Sequence, residues 1–574
     1  MNHNDLLNNL KDLASHETNR CQINPHARWK VGLAYPNTYF VGMSNLGQHI
    51  IYKEINDRDD SVCERYFMPE KKEFEAYVKT KTKLMSIETQ RPMSQLDVLA
   101  IGVEMDYFNL PLMLKHGSIP VFSKDRTEFD PIVLAGGPCV TFNPEPFAEF
   151  IDACIIGEGE GITGQVLDVI YQGKEEGLDR QQILFNLAQL PGVYVPSLFT
   201  PKFREDGRFD GYDVAPGVPK TIRRYYEPLT KEGETVIATD YTEFGAMYIV
   251  EVARGCGRHC RFCMAGYCYR VPRIRDLDQL KAGVDRAAEL GKKVGLMGAA
   301  ISDYPQIDEL VNYIRSKGIR YSCASLRADS LTQDVVDGLA DSGQKTITIA
   351  PETGSDRLRD VINKGITEDD LRKGALLAAK SGVHHLRFYI MIGLPTEEEE
   401  DIQAIVDLAV RTRKYMEEVG SKGRLTLSIN PFIPKPFTPF QWMAMDNQKS
   451  VEKKLQYIKK ALQKDRRIEV LIESPKEAYI QGVLARGDRR LSQVLYQCAM
   501  DRGSKSFKKE LKAAGIDMDQ ANYREREMGE PQPWDMLDMG LREGYLETEW
   551  YKAVAGKFTA PCMDGCKRCG VCDQ

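Results

Sequence analysis

The sequence predicts an α/β protein: an N-terminal doubly wound parallel sheet, a central partial (β/α)6 barrel, and a helical C-terminal region ending in a cysteine-rich tail. Two observations carry this. Over residues 27–225, short apolar runs that end at Gly or Pro alternate with helical stretches, the pattern of parallel strands joined by helical crossovers. A second series of six strand–helix units starts near Met247 and runs unbroken to about residue 465. Six units are fewer than the eight of a closed barrel, which leaves one side free for a large substrate.

The elements follow in order. The polar start, MNHNDLLNNLKDLASHETNR, reads as a short helix and lacks the basic, then apolar, pattern of a signal peptide. WKVGLAY, DVLAIGV, IVLAGG and DACIIG read as strands. In such sheets ligands lie at the carboxyl ends of strands. The loops there are 35–47, 136–147 and 157–161, rich in Gly, Pro and Asn. Residues 1–195 form this first domain, and 196–245, irregular and polar with a hairpin at KFREDGRFDGYD, form a linker region. Residues 246–465 form the barrel, from the strand YIVEVARGC to the helix VEKKLQYIKKAL. Residues 466–574 form the helical C-terminal domain.

Charged residues make up 28% of the chain and nearly cancel, to a net charge of -6, so no global electrostatic pull toward nucleic acid or membrane is expected. No run of about 18 apolar residues predicts a membrane span, and the expected location is cytoplasmic. The basic stretch Lys453–Arg467 reads as a solvated helix face, with tRNA or another polyanion as the alternative.

Of 14 cysteines, seven fall in two tight groups. In a large chain without an export signal these are thiols or metal ligands rather than disulfides. Cys256, Cys260 and Cys263 have the spacing CxxxCxxC within ARGCGRHCRFCMAGYCYR. Three thiolates hold three irons of a [4Fe-4S] cube and leave the fourth open. Zinc, with His259 or Cys268 as fourth ligand, is the alternative. Cys562, Cys566, Cys569 and Cys572 have the spacing CxxxCxxCxxC, which suits a tetrahedral zinc or an iron–sulfur cluster equally. Most of the scattered cysteines read as small buried residues.

CxxxCxxC after the first strand of a six-unit barrel, with Phe262 before the last Cys, resembles the radical S-adenosylmethionine (radical SAM) superfamily over about 247–465. The resemblance implies an open iron that chelates S-adenosylmethionine and a one-electron cleavage to a 5′-deoxyadenosyl radical. It places Phe262 near the adenine. GLMGAAIS lacks the Glu found in many relatives, which leaves amino-group recognition to backbone or Ser302. Arg327, in SLRADSL, would pair with the cofactor carboxylate, and Glu352, in APETGS, resembles the ribose or amino contact; a structural ion pair is the alternative for both. GLPTE resembles the fifth-strand motif, and Thr396 with Glu399 reads as a helix capping box.

GGPCVTFNPEPFAEFIDACIIGEGE and YPNTYFVGMSNLG resemble the cobalamin-binding domain of two-domain radical enzymes over about 28–175. The cobalt-ligating Asp-x-His-x-x-Gly loop is missing from the sequence, so cobalamin without a His ligand and a corrinoid-free sheet both stay open. SPKEAYIQGVLARGDRRLSQVL, PWDMLDMGLREGYLETEWYKA and FIPKPFTPFQW resemble a radical-enzyme subgroup defined by architecture rather than reaction.

Together these imply a radical enzyme that modifies an unidentified substrate, with cobalamin-dependent C-methylation if a corrinoid is bound. The alternatives are methylthiolation of tRNA or protein through a tail cluster, which FIPKPFTPFQW suggests, and a non-catalytic iron–sulfur carrier. The implied electron donor is of the flavodoxin or ferredoxin class.

Overall fold

The computed structural model describes residues 1–573, and of Met518 and Asp573 the backbone only. The chain divides into two compact units: Met1–Met247 with Arg486–Asp517 and Pro531–Gly540, and Tyr248–Ala485 with Met518–Glu530 and the residues from Leu541 on.

The first unit is built on a six-stranded sheet. Its strands are β1 (Trp29–Tyr35), β2 (Ser61–Phe67), β3 (Val98–Gly102), β4 (Ile132–Gly136), β5 (Ala153–Ile155) and β6 (Val193–Tyr194), in the order β2–β1–β3–β4–β5–β6. The first five are parallel and β6 runs against β5. Near-continuous burial along β1 and β2 is what a parallel sheet covered on both faces requires. β2 is a strand the apolar pattern conceals. It carries Glu64 and Arg65 in its middle, and both are neutralised: Arg65 meets Glu17 at 2.7 Å and Glu88 at 2.6 Å, and Arg91 meets Glu64 at 3.0 Å.

Residues 196–245, read from sequence as a linker, lie within this unit. Phe199–Phe203 and Phe209–Val214 form the expected hairpin, Ile222–Arg223 pairs with Leu537–Asp538, and Ile237–Ala238 pairs with Thr18–Asn19. Nor is 466–574 one body, for its segments are shared between the units. Half-buried Arg489 explains part of this: it reaches Glu145 at 2.8 Å, Tyr194 Oη at 2.7 Å and the carbonyl of Phe199 at 2.6 Å.

The second unit holds the barrel. β7 (Met247–Glu251), β8 (Lys293–Met297) and β9 (Tyr321–Cys323) form one sheet; β10 (Thr346–Glu352), β11 (His385–Ile392), β12 (Leu425–Pro431) and β13 (Ile468–Ile472) form a second. A parallel bridge between Leu326 and Ile349 joins them. Helices including Leu277–Glu289, Ile307–Ser316, Gln333–Asp341, Glu368–Lys380, Glu399–Glu418 and Gln448–Leu462 fill the crossovers. All six expected units are present, and β13 adds a seventh strand, parallel to β12. Val250, Leu296, Ile347, Phe388 and Leu427 from the strands meet Val284, Leu310, Val336, Ala375 and Ile405 from the helices in one buried core.

The start of helix Glu399–Glu418 differs from the expected Thr396–Glu399 box. Thr396 has φ 63 and stands outside the helix. The N-cap is Glu398, whose N–H donates to Asp401 at 2.9 Å. Glu397 is drawn inward instead, accepting from the N–H of Gly393 at 2.9 Å and pairing with Lys454 at 2.7 Å. Lys454 is thus withdrawn from the basic stretch, most of which is exposed. Among the described residues no helix is long and apolar enough to cross a membrane.

Candidate active site

The CxxxCxxC loop leaves the barrel just after β7. Ala253–Arg254 pairs antiparallel with Arg273–Ile274, which closes the base of the loop. Gly255 makes that closure: its φ is 79°, and a Cβ there would lie 2.1 Å from the carbonyl oxygen of Tyr269. The short helix Ala265–Cys268 follows Cys263.

Cys256, Cys260 and Cys263 are free and half-buried. Backbone N–H groups near the sulfurs, that of Arg258 at Cys256 and those of Ala265 and Gly266 at Cys263, favour the thiolates. Burial outweighs them and pushes Cys263 up to about 12, with Cys260 and Cys256 adding repulsion. Three mutually repelling thiols on one loop are a donor set that iron would stabilise. Among the described residues no three His, Cys, Asp or Glu side chains are grouped as a single-ion site. A cube, whose ligands sit on separate irons, requires no such convergence.

The other expected residues surround this loop. Phe262 packs against a buried cluster that includes Leu358, Ile362, Leu394 and Phe432. Ser302 is buried and accepts from Ser330 Oγ at 2.8 Å and from the N–H of Arg327 at 3.4 Å. Arg327 is forked onto Asp329 at 2.9 and 3.0 Å. Arg258, inside the loop, clasps Asp303 and also reaches Asp329. Glu352, at φ 68, pairs with buried Lys364 at 2.9 Å. Lys364 lies within electrostatic reach of Cys260, and Arg327 of Cys256. The sequence reading missed Lys364, although it follows Asn363 in an Asn-Lys-Gly turn that marks a tight bend.

The tail docks on this loop. The N–H of Cys562 donates to the carbonyl of Gly257 at 2.8 Å. Asn363 joins both segments, donating to the carbonyls of His259 at 3.2 Å and Thr559 at 3.0 Å, and accepting from the N–H of Thr559 at 2.7 Å. Arg261 and Glu549, both fully buried, form a 3.3 Å pair beside it. Cys569 is buried, Cys562 and Cys566 are half-buried and Cys572 is exposed. Partial burial, together with the neighbouring Cys569, Cys562 and Cys566, raises the Cys572 thiol. Of the scattered cysteines, all but half-buried Cys21 are buried.

In the first unit, the strand order reverses between β1 and β3. Tyr35 Oη donates to Glu104 and Asn37 to Asp106, each at 2.9 Å, beside the carboxyl ends of these strands. At the end of β4, nothing lies within 4 Å of where a Cβ on Gly136 would be.

Residues 250–409 match the family described as Radical SAM superfamily, and 47–196 that described as Radical SAM proteins, N-terminal. An uncharacterized protein of Methanocaldococcus jannaschii is 34% identical over 471 residues, which cover 81% of this chain and 90% of that one. The chain belongs to the radical SAM superfamily. As a radical SAM protein it is an enzyme with radical chemistry that uses a [4Fe-4S] cluster and S-adenosylmethionine. This chain spans a little over half the length of more distant relatives. The tRNA-2-methylthio-N(6)-dimethylallyladenosine synthase of Aquifex aeolicus is 25% identical over 42% of this chain and 55% of that one. The radical S-adenosylmethionine methyltransferase TsrM from Kitasatospora setae superposes with TM-score 0.48 at 14% identity, covering 92% of this chain and 88% of that one.

Proposed function

We propose that Cys256, Cys260 and Cys263 hold the radical SAM cluster and that the barrel opens its radical chemistry to a substrate yet to be identified. The observation that carries this is the loop itself: three thiols within electrostatic reach of one another, on one loop closed by a strand pair at the end of the first barrel strand. When bound, such a cluster supplies an open iron for the amino and carboxylate groups of S-adenosylmethionine and the electron that cleaves it. The chain's residues bind and orient. Phe262 offers an apolar surface for the adenine, and Ser302 a hydroxyl. Glu352 accepts a hydrogen bond from the ribose or amino group, held in place by Lys364. Arg327 takes the carboxylate only by exchanging Asp329 for it, a substitution of one anion for another. Cys562, Cys566, Cys569 and Cys572 hold a second metal centre.

Two further readings have support. Cobalamin-dependent C-methylation is favoured by the open space at Gly136 beside the reversal of strand order, where such sheets take cofactors. Methylthiolation is favoured by the similarity to the tRNA-modifying relatives, and would employ the tail centre.

Protein purified without oxygen and given dithionite and S-adenosylmethionine should form 5′-deoxyadenosine, and Cys256→Ala should abolish it with loss of about four irons per chain. No product from iron-replete protein would refute the reading and leave an electron carrier. About one cobalt per chain would select the methylation reading.

A further inference from the structure

Arg270 is 1% exposed, and its guanidinium faces sulfur. Nη1 donates to Cys562 Sγ at 3.3 Å and to Cys569 Sγ at 3.5 Å. Nη2 bonds His259 Nδ1 at 2.8 Å, Nε bonds the carbonyl of Gly266, and the group sits 5.4 Å over the ring of Tyr267. A guanidinium does not lose its proton in proteins, so two tail sulfurs are held permanently in a positive field. The tail also grades from outside to inside. Cys572 is exposed, Cys562 is half-buried, and the Cβ of Cys562 lies 3.1 Å from where a Cβ on Gly257 would be, one residue from Cys256.

We propose that the tail cysteines hold an iron–sulfur cluster through which a one-electron protein donor feeds the cluster on the CxxxCxxC loop, with Arg270 setting the tail's potential. The proposal rests on the reading of that loop given under Proposed function. Zinc has no redox chemistry and needs no charge compensation that changes during turnover. An iron–sulfur cluster gains a negative charge on reduction, and N–H donors and a buried cation on its sulfurs favour the reduced form. The tail therefore combines an exposed entry point, a cation that stabilises the added electron, and backbone contact with the loop that must receive it. The balance is simple: the donor loses one electron, the loop's cluster gains it, the tail ends as it began, and no bond or proton moves. Arg270 is here a positioning residue, since it acts through sulfur.

The test uses the full chain, purified without oxygen. The variant Cys256→Ala/Cys260→Ala/Cys263→Ala should keep about four irons per chain and a paramagnetic signal on reduction, and adding Cys562→Ala should remove both. Zinc without iron in the triple variant overturns the proposal. In a redox titration of the triple variant, Arg270→Gln should lower the reduced-to-oxidised ratio about tenfold at fixed potential, a shift of about 59 mV to more negative values. Arg270→Lys, which keeps the charge, should shift it less than half as far, and carries the measurement if Arg270→Gln fails to load iron. An unmoved midpoint in Arg270→Gln, or a Lys variant displaced by the full tenfold, overturns Arg270's role. With a flavodoxin as donor, rapid freezing of wild-type protein should catch the tail's signal before the loop's; the reverse order overturns the route. A zinc-bearing tail in protein that still forms 5′-deoxyadenosine defeats this proposal alone. Failure to form it with both clusters loaded defeats the reading of the loop instead.

Discussion

Asn363 ties the tail to the CxxxCxxC loop, so Asn363→Ala should release the one from the other. The wild-type residue makes three hydrogen bonds of 3.2 Å or less across this contact, at 2.7, 3.0 and 3.2 Å, and is 1% exposed. At about 1 kcal/mol net for each bond, their loss costs about 3 kcal/mol. The backbone adds to this. Asn363 has φ 53, a conformation that Asn tolerates and Ala resists by about 1 kcal/mol. The sum, about 4 kcal/mol, corresponds to roughly a thousandfold in the opening equilibrium. Amide hydrogen exchange reads this directly, because the N–H groups of Thr559 and Cys562 are donors across the contact. Their protection should fall by two to three powers of ten, while amides in β11 and β12 keep theirs. Asn363→Gly, which accepts the backbone angle, should fall short of the Ala effect by about fivefold. Protection at Thr559 within threefold of wild type in Asn363→Ala would refute the view that this side chain fastens the tail.

Two further predictions concern the first unit. His49 is buried, its Nδ1 accepting the N–H groups of Val236 and Ile237 and its Nε2 placed to donate to the carbonyl of Met43. Burial holds it down at about 4, against 6.5 in the unfolded chain. The unfolded state therefore binds the extra proton as pH falls, so this contribution is fully present above pH 6.5 and is lost between 6.5 and about 4. The loss should reach roughly 3 kcal/mol in urea unfolding and vanish in His49→Gln; an unchanged pH slope in that variant would count against it. Arg489→Met leaves fully buried Glu145 uncompensated, which should cost about 3–5 kcal/mol, with Glu145→Gln in the same chain restoring part of it. A fall in the urea midpoint equivalent to less than about 1 kcal/mol would mean that the C-terminal segment is not held by this pair.

What the sequence reveals is what short-range pattern encodes. Parallel strands sheathed on both faces appear as apolar runs, and β1, β3, β4 and the barrel strands β7 to β12 are legible for that reason. β2 and β13 are not, because each departs from the apolar rule. Glu64 and Arg65 interrupt β2 and are neutralised by residues elsewhere in sequence. β13 is an edge strand with exposed Leu471 and Ile472, next to a basic run. Within the site, ligand spacing marks the two cysteine groups, since three thiols on one loop need only local geometry. Their adjacency has no local signal. It rests on Arg270, Asn363 and Arg261, each an ordinary residue until the fold brings the tail beside it. Arg327 shows the converse: the motif marks it as an anion contact, but Asp329, two residues on, already occupies its fork.

The tail contact also orders events in time. Cys562 lies 292 residues beyond Arg270 in the chain. At roughly 5–20 residues per second, the ribosome needs about 15–60 s to cover that distance. Throughout this interval the nascent loop has its three thiols but none of the hydrogen bonds that Asn363 and Gly257 share with the tail. The loop's cysteines are therefore made long before the segment that caps them, so any cofactor loading that precedes the tail meets a loop without its cover.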